Sequence, residues 1–474
     1  MKNVFKFALM LMAGASALIG CQPAATDKEG TLSDDEKALQ AVVEQYVPRV
    51  IYSIYGSLAD QTETLTKQLV ALRDSKSLTQ KDIDEVCATF LSAREYWEKS
   101  EAFLFGPATA FGIDPHIDSW PLDKDNLAQT LSNEIDFARL EEKGAEVLAP
   151  AVLGFHGIEF ILFRDGKNRT VASLSANETD EAFTKEVSGH QELVFAAAVA
   201  EDLYNSCARL EVSWNPAAPK ERKALIIEDL ELPCTIEGSD LTFGENLLGA
   251  TKAGSTYGTW QEAVAKTILS GSVSIADEVA NTKMGTAHYV NSVSYDKDYI
   301  ESPYSHRSFY DFRDNILSIQ YSLYGGNNLS APASASLMTF MKNKGYKGAD
   351  ALDAALKDAL SSLQACISSG KAFVGSLLHV HPVMRIVADG ALPIGKVKGK
   401  KSCNAWLVDK LKEEPADTDY PLVIGHSNAL DRANEFEQQL RDAGITNEFK
   451  TNCIGPIIGT HAGPNCLGIG YVLK

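Results

Sequence analysis

Between Asp34 and about Gly375 the apolar positions recur at helical spacing, clearest at Ile83, Val86, Phe90 and Leu91, whose steps of three, four and one trace one helix face. Comparable stripes occupy roughly 36–75, 180–210, 254–292, 305–324, 331–343 and 348–373, separated by Gly, Pro, Asn and Ser clusters such as Gly325-Gly326-Asn327-Asn328. Strand-like alternation is scarce in this stretch. Each stripe must be covered by a neighbouring helix, so the pattern predicts a mainly α body of one or two helical bundles with short connections.

After about Ser376 the pattern changes to short apolar runs bounded by turn residues. Residues 378–387 with Ala388-Asp389-Gly390 read as strand and turn, and 422–425 as a second strand. A helix follows over 429–442, with Ser427 or Asn428 as N-cap and Gly444 just past its end, and 467–473 closes the chain as a strand. The segment 376–474 is thus a small partial α/β piece. At the opposite end, Lys2 and Lys6 precede an apolar run over 7–18 that is too short for a comfortable membrane span, which predicts a signal peptide over 1–20. Leu18-Ile19-Gly20-Cys21 resembles a bacterial lipobox, which implies cleavage before Cys21, a lipid on its thiol and an envelope location, in either the inner or the outer membrane. Residues 21–36 are polar and poor in aromatics, as a flexible tether would be.

Charge separates the two pieces further. The chain has 474 residues and a net charge of −19, and since 376–474 carries equal numbers of basic and acidic side chains, all of that excess lies in residues 1–375. A surface so negative, without a basic stripe interleaved with aromatics, argues against nucleic acid as a partner. Beyond Cys21 the cysteines form no CxxC pair and no zinc-finger spacing, so buried free thiols are the expectation.

Three segments of the helical body set polar groups among aromatics. The first is Arg94-Glu95-Tyr96-Trp97-Glu98-Lys99-Ser100-Glu101-Ala102-Phe103, followed by Asp118-Ser119-Trp120-Pro121; the second is Gly154-Phe155-His156-Gly157-Ile158-Glu159-Phe160. On a helix His156 and Glu159 stand three residues apart on one face, so imidazole and carboxylate can aim at the same spot. Charge in so apolar a run is costly to bury unless paired or metal-bound, and Glu/His pairs at this spacing build metal sites inside bundles. The same two residues could equally satisfy each other or an arginine such as Arg94, fixing helix register with no ligand. The chain has no HExxH, which disfavours a common zinc protease.

Gly154-x-His156-x-x-Glu159, with the Arg94 to Glu101 segment and Trp120-Pro121 before it, resembles the GxHxxE signature of imelysin-like proteins, a family known as insulin-cleaving membrane peptidases. The resemblance spans about 36–375. A third segment supports it: Glu301-Ser302-Pro303-Tyr304-Ser305, then Ser308, Asp311, Asp314 and Asn315, is similar to the family's second-half motif, although Phe309 stands where the family often has a His. The resemblance implies a body over 37–375 of two helical-bundle halves, split near 225 and related by a pseudo-twofold, with the motif residues near their interface. It also implies an envelope protein associated with iron uptake and its partner proteins. The resulting expectation is a lipid-anchored component that binds iron or another divalent metal through His156, Glu159, Glu101 and Asp311, supported by Gly154, Arg94, Trp120, Ser305, Ser308 and Asn315, and attached to the membrane through Cys21. A peptidase of the imelysin type is the alternative, and no residue is assigned a catalytic role.

In the tail, Lys396-Val397-Lys398-Gly399-Lys400-Lys401, Ile424-Gly425-His426 and Ile454-Gly455-Pro456 with His461-x-Gly463-Pro464 resemble, in order, the last segments of DegV-family proteins, which bind fatty acids. His461 corresponds to that family's His near the bound carboxylate, while Asn465 and Cys466 replace the usual Gly and Ala. Fatty-acid binding is therefore a third reading. The family's N-terminal carboxylate-holding groups have no counterpart, so the tail is expected to be a non-functional, incompletely covered appendage.

Overall fold

The computed structural model describes residues 32–175, 177–178, 183, 185–288, 296, 299–327, 329–370, 380–387, 390–398, 400–427, 429–454 and 466–474. They fall into two compact units, one from residues up to 283 together with 301–373, the other from 284–300 together with 374–474.

In the first unit the long 36–75 stripe becomes α1 (Asp34–Tyr46), a π-helical turn (Val47–Tyr52) containing Pro48, and α2 (Ser53–Asp74). The Thr79 hydroxyl accepts from the Asp82 N–H at 3.2 Å and starts α3 (Gln80–Glu98), which buries Ile83, Val86, Phe90 and Trp97 along one face. A 3-10 turn (Glu101–Phe103), a short α4 (Ile113–Ile117) and the wholly buried α5 (Gly154–Leu162) follow. The stripe predicted over 180–210 becomes helical only at α6 (Gly189–Trp214), because Val187–Ser188 pairs as a short strand with Asn177–Glu178 and Ser188 caps the helix in a reciprocal box with Gln191.

The 254–292 stripe is likewise interrupted. It forms α7 (Trp260–Val264), a π turn (Ala265–Leu269), α8 (Ser270–Asp277) and a second π turn (Glu278–Lys283). Then come α9 (Ser308–Tyr324), α10 (Leu337–Asn343) and α11 (Ala349–Ser368). Helix α2 packs on α3 and α6, α5 lies between α3 and α6, and α9 packs on α3, α8 and α11. Side chains of residues 94–159 therefore meet those of 283–315 where α3, α5 and α9 converge. Among the described residues no single helix is long and apolar enough to cross a membrane.

The second unit has a β-hairpin, β1 (Val380–Val387) with β2 (Gly390–Lys398), then α12 (Lys400–Glu413). Next come β3 (Leu422–His426), α13 (Leu430–Asp442), β4 (Phe449–Cys453) and β5 (Leu467–Gly470). Strand β3 is central, parallel to β4 and antiparallel to β5. Val408 and Leu411 of α12, Leu422 and Ile424 of β3, and Phe436 and Leu440 of α13 make a core of their own. One face of β3 is thus covered by the two helices, while Val423 on its other face is 37% exposed, in keeping with the incomplete cover expected of the tail. Ala429 precedes α13 without a side-chain cap, so Ser427 does not cap it. Residues 1–20, Cys21, Asn428 and His461 lie outside the described residues.

Candidate metal centre

Gly154 sets the geometry. Its φ is +74°, and a Cβ there would lie 1.9 Å from the Ile117 carbonyl oxygen, so only glycine lets α5 start against the end of α4. The next residue after α4 is Asp118, and this close approach brings its carboxylate to the imidazole of His156. His156 Nε2 lies 3.1 Å from Asp118 Oδ1, and His156 Nδ1 lies 3.7 Å from Glu159 Oε2, one helical turn on. Both His156 Nε2 and Glu159 Oε2 are buried, and these ion-pair approaches are their polar contacts. The imidazole is 2% exposed and its ring centroid lies 4.8 Å from that of Trp120. Glu159 Oε1 is held from the other side, accepting from Ser305 N at 2.9 Å and Ser305 Oγ at 2.6 Å.

Arg94 joins the parts. Its Nη1 pairs with Asp118 Oδ1, while Nη2 lies 2.5 Å from Glu98 Oε1 and 3.2 Å from Glu301 Oε1. Trp97 Nε1 donates to the other Asp118 oxygen at 2.8 Å. Lys283, at the end of the second π turn, donates to Glu301 Oε1 at 3.0 Å and stands 3.7 Å from Glu98 Oε2 and 3.8 Å from Glu101 Oε1. Asn315 Nδ2 donates to Glu98 Oε2 at 2.5 Å, Ser302 Oγ donates to Asp311, and Ser308 Oγ accepts from Ser302 N at 3.0 Å.

Two permanent cations and one imidazole thus face the carboxyl groups of Glu98, Glu101, Asp118, Glu159, Glu301 and Asp311, all of them buried or nearly so. A surplus of buried negative charge must be neutralised by protons or by a cation. The titration behaviour follows. Burial pushes the carboxyls of Glu101 and Asp311 well above the usual range, with Lys283 and Arg94 only partly opposing it. Burial also acts to raise Asp118, yet Arg94 and His156 outweigh it and hold that carboxyl far below its ordinary value. For His156 burial disfavours the charged ring, but Asp118 and Glu159 prevail and raise its pKa to about 9.

Asp118, His156 and Glu301 each bring one ligand atom within 4.8 Å of the others, the one such group of three among the described residues. One imidazole nitrogen with carboxylate oxygens is a donor set suited to zinc, iron or manganese. Of the residues expected from sequence, His156 lies in this group and Glu159 beside it, whereas Glu101 is reached through Lys283 and Asp311 through Ser302. Asp118 and Glu301 stood in the quoted motifs without being assigned as ligands. Gly154, Arg94, Trp120, Ser305, Ser308 and Asn315 all lie at the cluster, in the roles just described. A small pocket has Phe90, Leu91, Phe155, His156, Glu159 and Arg307 among its lining residues.

Comparison with known proteins gives two family matches: Imelysin (Peptidase_M75) over residues 51–414, and the uncharacterised-protein DegV family over 360–474. Iron-regulated protein A of Synechococcus elongatus is 24% identical over 347 residues, 73% of this chain and 81% of that protein. A DegV domain-containing protein of Streptococcus pneumoniae is 31% identical over 107 residues, 22% of this chain, and the chain spans only 38% of that relative's length. Among solved structures, an iron-regulated protein A precursor from Parabacteroides distasonis matches with a TM-score of 0.48 at 23% identity, covering 73% of this chain and 95% of that one. An imelysin-like protein from Psychrobacter arcticum matches with a TM-score of 0.44 at 14% identity, covering 70% and 86%. With the helical body matched across most of its length and the GxHxxE residues gathered at one buried cluster, the chain belongs to the imelysin family, and its C-terminal segment is similar to part of the DegV family.

Proposed function

We propose that this protein is a metal-binding component of the bacterial envelope, with iron as the first candidate. In this reading His156, Asp118 and Glu301 hold the cation, with Glu159, Glu101 and Asp311 as the surrounding acids. The observation that carries it is the buried gathering of His156, Asp118 and Glu301, whose ligand atoms all lie within 4.8 Å of one another. A bound divalent ion would take the imidazole and the two carboxylates as ligands, displacing the proton that the ring holds. The name of the Synechococcus relative, an iron-regulated protein, is what favours iron over other metals with the same ligand preferences.

Isothermal calorimetry of the full chain with Fe(II) and Zn(II), on wild type and His156→Gln, tests the proposal. Saturable uptake lost in the variant supports it, and uptake indifferent to His156 removes it. The lipobox-like Leu18-Ile19-Gly20-Cys21 is the basis for placing the protein on a membrane. Labelling with radioactive palmitate in a bacterial host should mark wild type and not Cys21→Ser; equal labelling of both would refute the anchor. The peptidase name of the matched family keeps proteolysis as a second reading, to be read from cleavage of unfolded casein by wild type against Glu159→Ala.

A further inference from the structure

Lysine is seldom buried, and Lys283 is 5% exposed, so its position requires an explanation. It ends a π-helical turn, a backbone form that concentrates at functional positions. Its ammonium sits unevenly among three glutamates: one true hydrogen bond, to Glu301 at 3.0 Å, and two longer approaches, to Glu98 at 3.7 Å and Glu101 at 3.8 Å. The Glu301 oxygen that it holds, Oε1, is also approached by Arg94 Nη2 at 3.2 Å. A metal drawing on Glu301 through Oε1 would compete with these two cations for that oxygen.

Arg94 is poorly suited to yield. Its planar fork spans Glu98, Asp118 and Glu301 at once, and Phe155 lies against it with the guanidinium carbon 5.3 Å from the ring centroid. Lys283 is a point charge on a flexible stem, and a shift on the order of 1 Å would complete a hydrogen bond to Glu98 or Glu101.

We infer that Lys283 is the resident counter-cation of this site, a positioning residue that neutralises Glu301 before metal enters and withdraws onto Glu98 and Glu101 when it does, so that it sets how tightly a metal is held. The inference rests on the metal-binding reading above. It makes the lysine a competitor of the metal and Glu101 the acceptor that relieves the competition.

Calorimetry of the full chain with Zn(II) as probe tests it. Lys283→Met should bind Zn(II) about tenfold or more tightly than wild type, since each tenfold step reflects the lost competition directly. Its metal-free form should melt at a lower temperature. Lys283→Arg keeps the charge on a fork that yields less readily, so it should bind Zn(II) no more tightly than wild type; binding as tight as that of Lys283→Met would overturn the inference. Glu101→Gln should weaken binding, and the weakening should shrink when Lys283→Met is added. Unchanged or weaker binding in Lys283→Met overturns the inference. Should that variant fail to fold, Glu101→Gln decides: weaker binding supports the inference and equal or tighter binding overturns it. If wild type shows no His156-dependent binding at all, the metal reading fails and this inference falls with it, whereas His156-dependent binding indifferent to Lys283 removes only the lysine's role.

Discussion

At the residue scale, burial sets the direction of titration for Glu101, Asp311 and Asp314, whereas charged partners set it for Asp118 and His156. Asp314, beside the cluster on α9, gives a clean case: burial raises its carboxyl to about 7 from 3.8, with Arg313 and Lys99 only partly opposing the shift. Between those two values the folded state binds more protons than the unfolded one. The stability contributed is therefore full below pH 3.8 and is lost as pH rises through about 7. Asp314→Asn should flatten the decline in melting temperature from pH 4 to 7 and gain stability at pH 8; an unaltered pH profile would show the shift to be absent. His156 and Glu159 were legible in the sequence because helical spacing places i and i+3 on one face and because their neighbours are apolar. Asp118 was not legible as a member of the cluster. It follows a five-residue helix, outside any periodic stripe, and its role arises from a tertiary contact at Ile117. Lys283 left a fainter signal, a lysine three and four residues after the buried Ala280 and Val279, on the apolar face of its stripe.

At the scale of elements, the hydrophobic period located the long helices and was blind to their interruptions. A π turn adds a single residue to a helical circuit, too little to disturb a stripe, so Val47–Tyr52 and Glu278–Lys283 sit inside patterns that read as continuous. Strand β4 was missed for the opposite reason: Phe449-Lys450-Thr451-Asn452-Cys453 is mostly polar, as suits an edge strand paired on one side only. The element on which the site most depends is the start of α5. Gly154→Ala would combine a left-handed backbone with a Cβ pressed on the Ile117 carbonyl, and should destabilise the first unit by roughly 3 kcal/mol or more. Urea unfolding followed by tryptophan fluorescence measures this, and a midpoint within error of wild type would mean that α5 can start elsewhere.

At the scale of the molecule, the change of pattern near residue 376 and the two separately cored units describe a chain with a helical body and a small α/β tail. The mainly α class and both family resemblances were readable in advance, because stripes and motifs are local in sequence. The convergence of Arg94, Asp118, His156, Lys283 and Glu301 was not, because it joins residues separated by up to 207 positions through packing. Whether that convergence serves a metal is settled most directly by elemental analysis of the full chain after equilibration with Fe(II) or Zn(II) and exhaustive dialysis, beside His156→Gln. The account predicts about one metal ion per wild-type chain, as a single three-ligand site would hold, and near-complete loss in the variant. Equal metal content in the two proteins, or none in either, would contradict it.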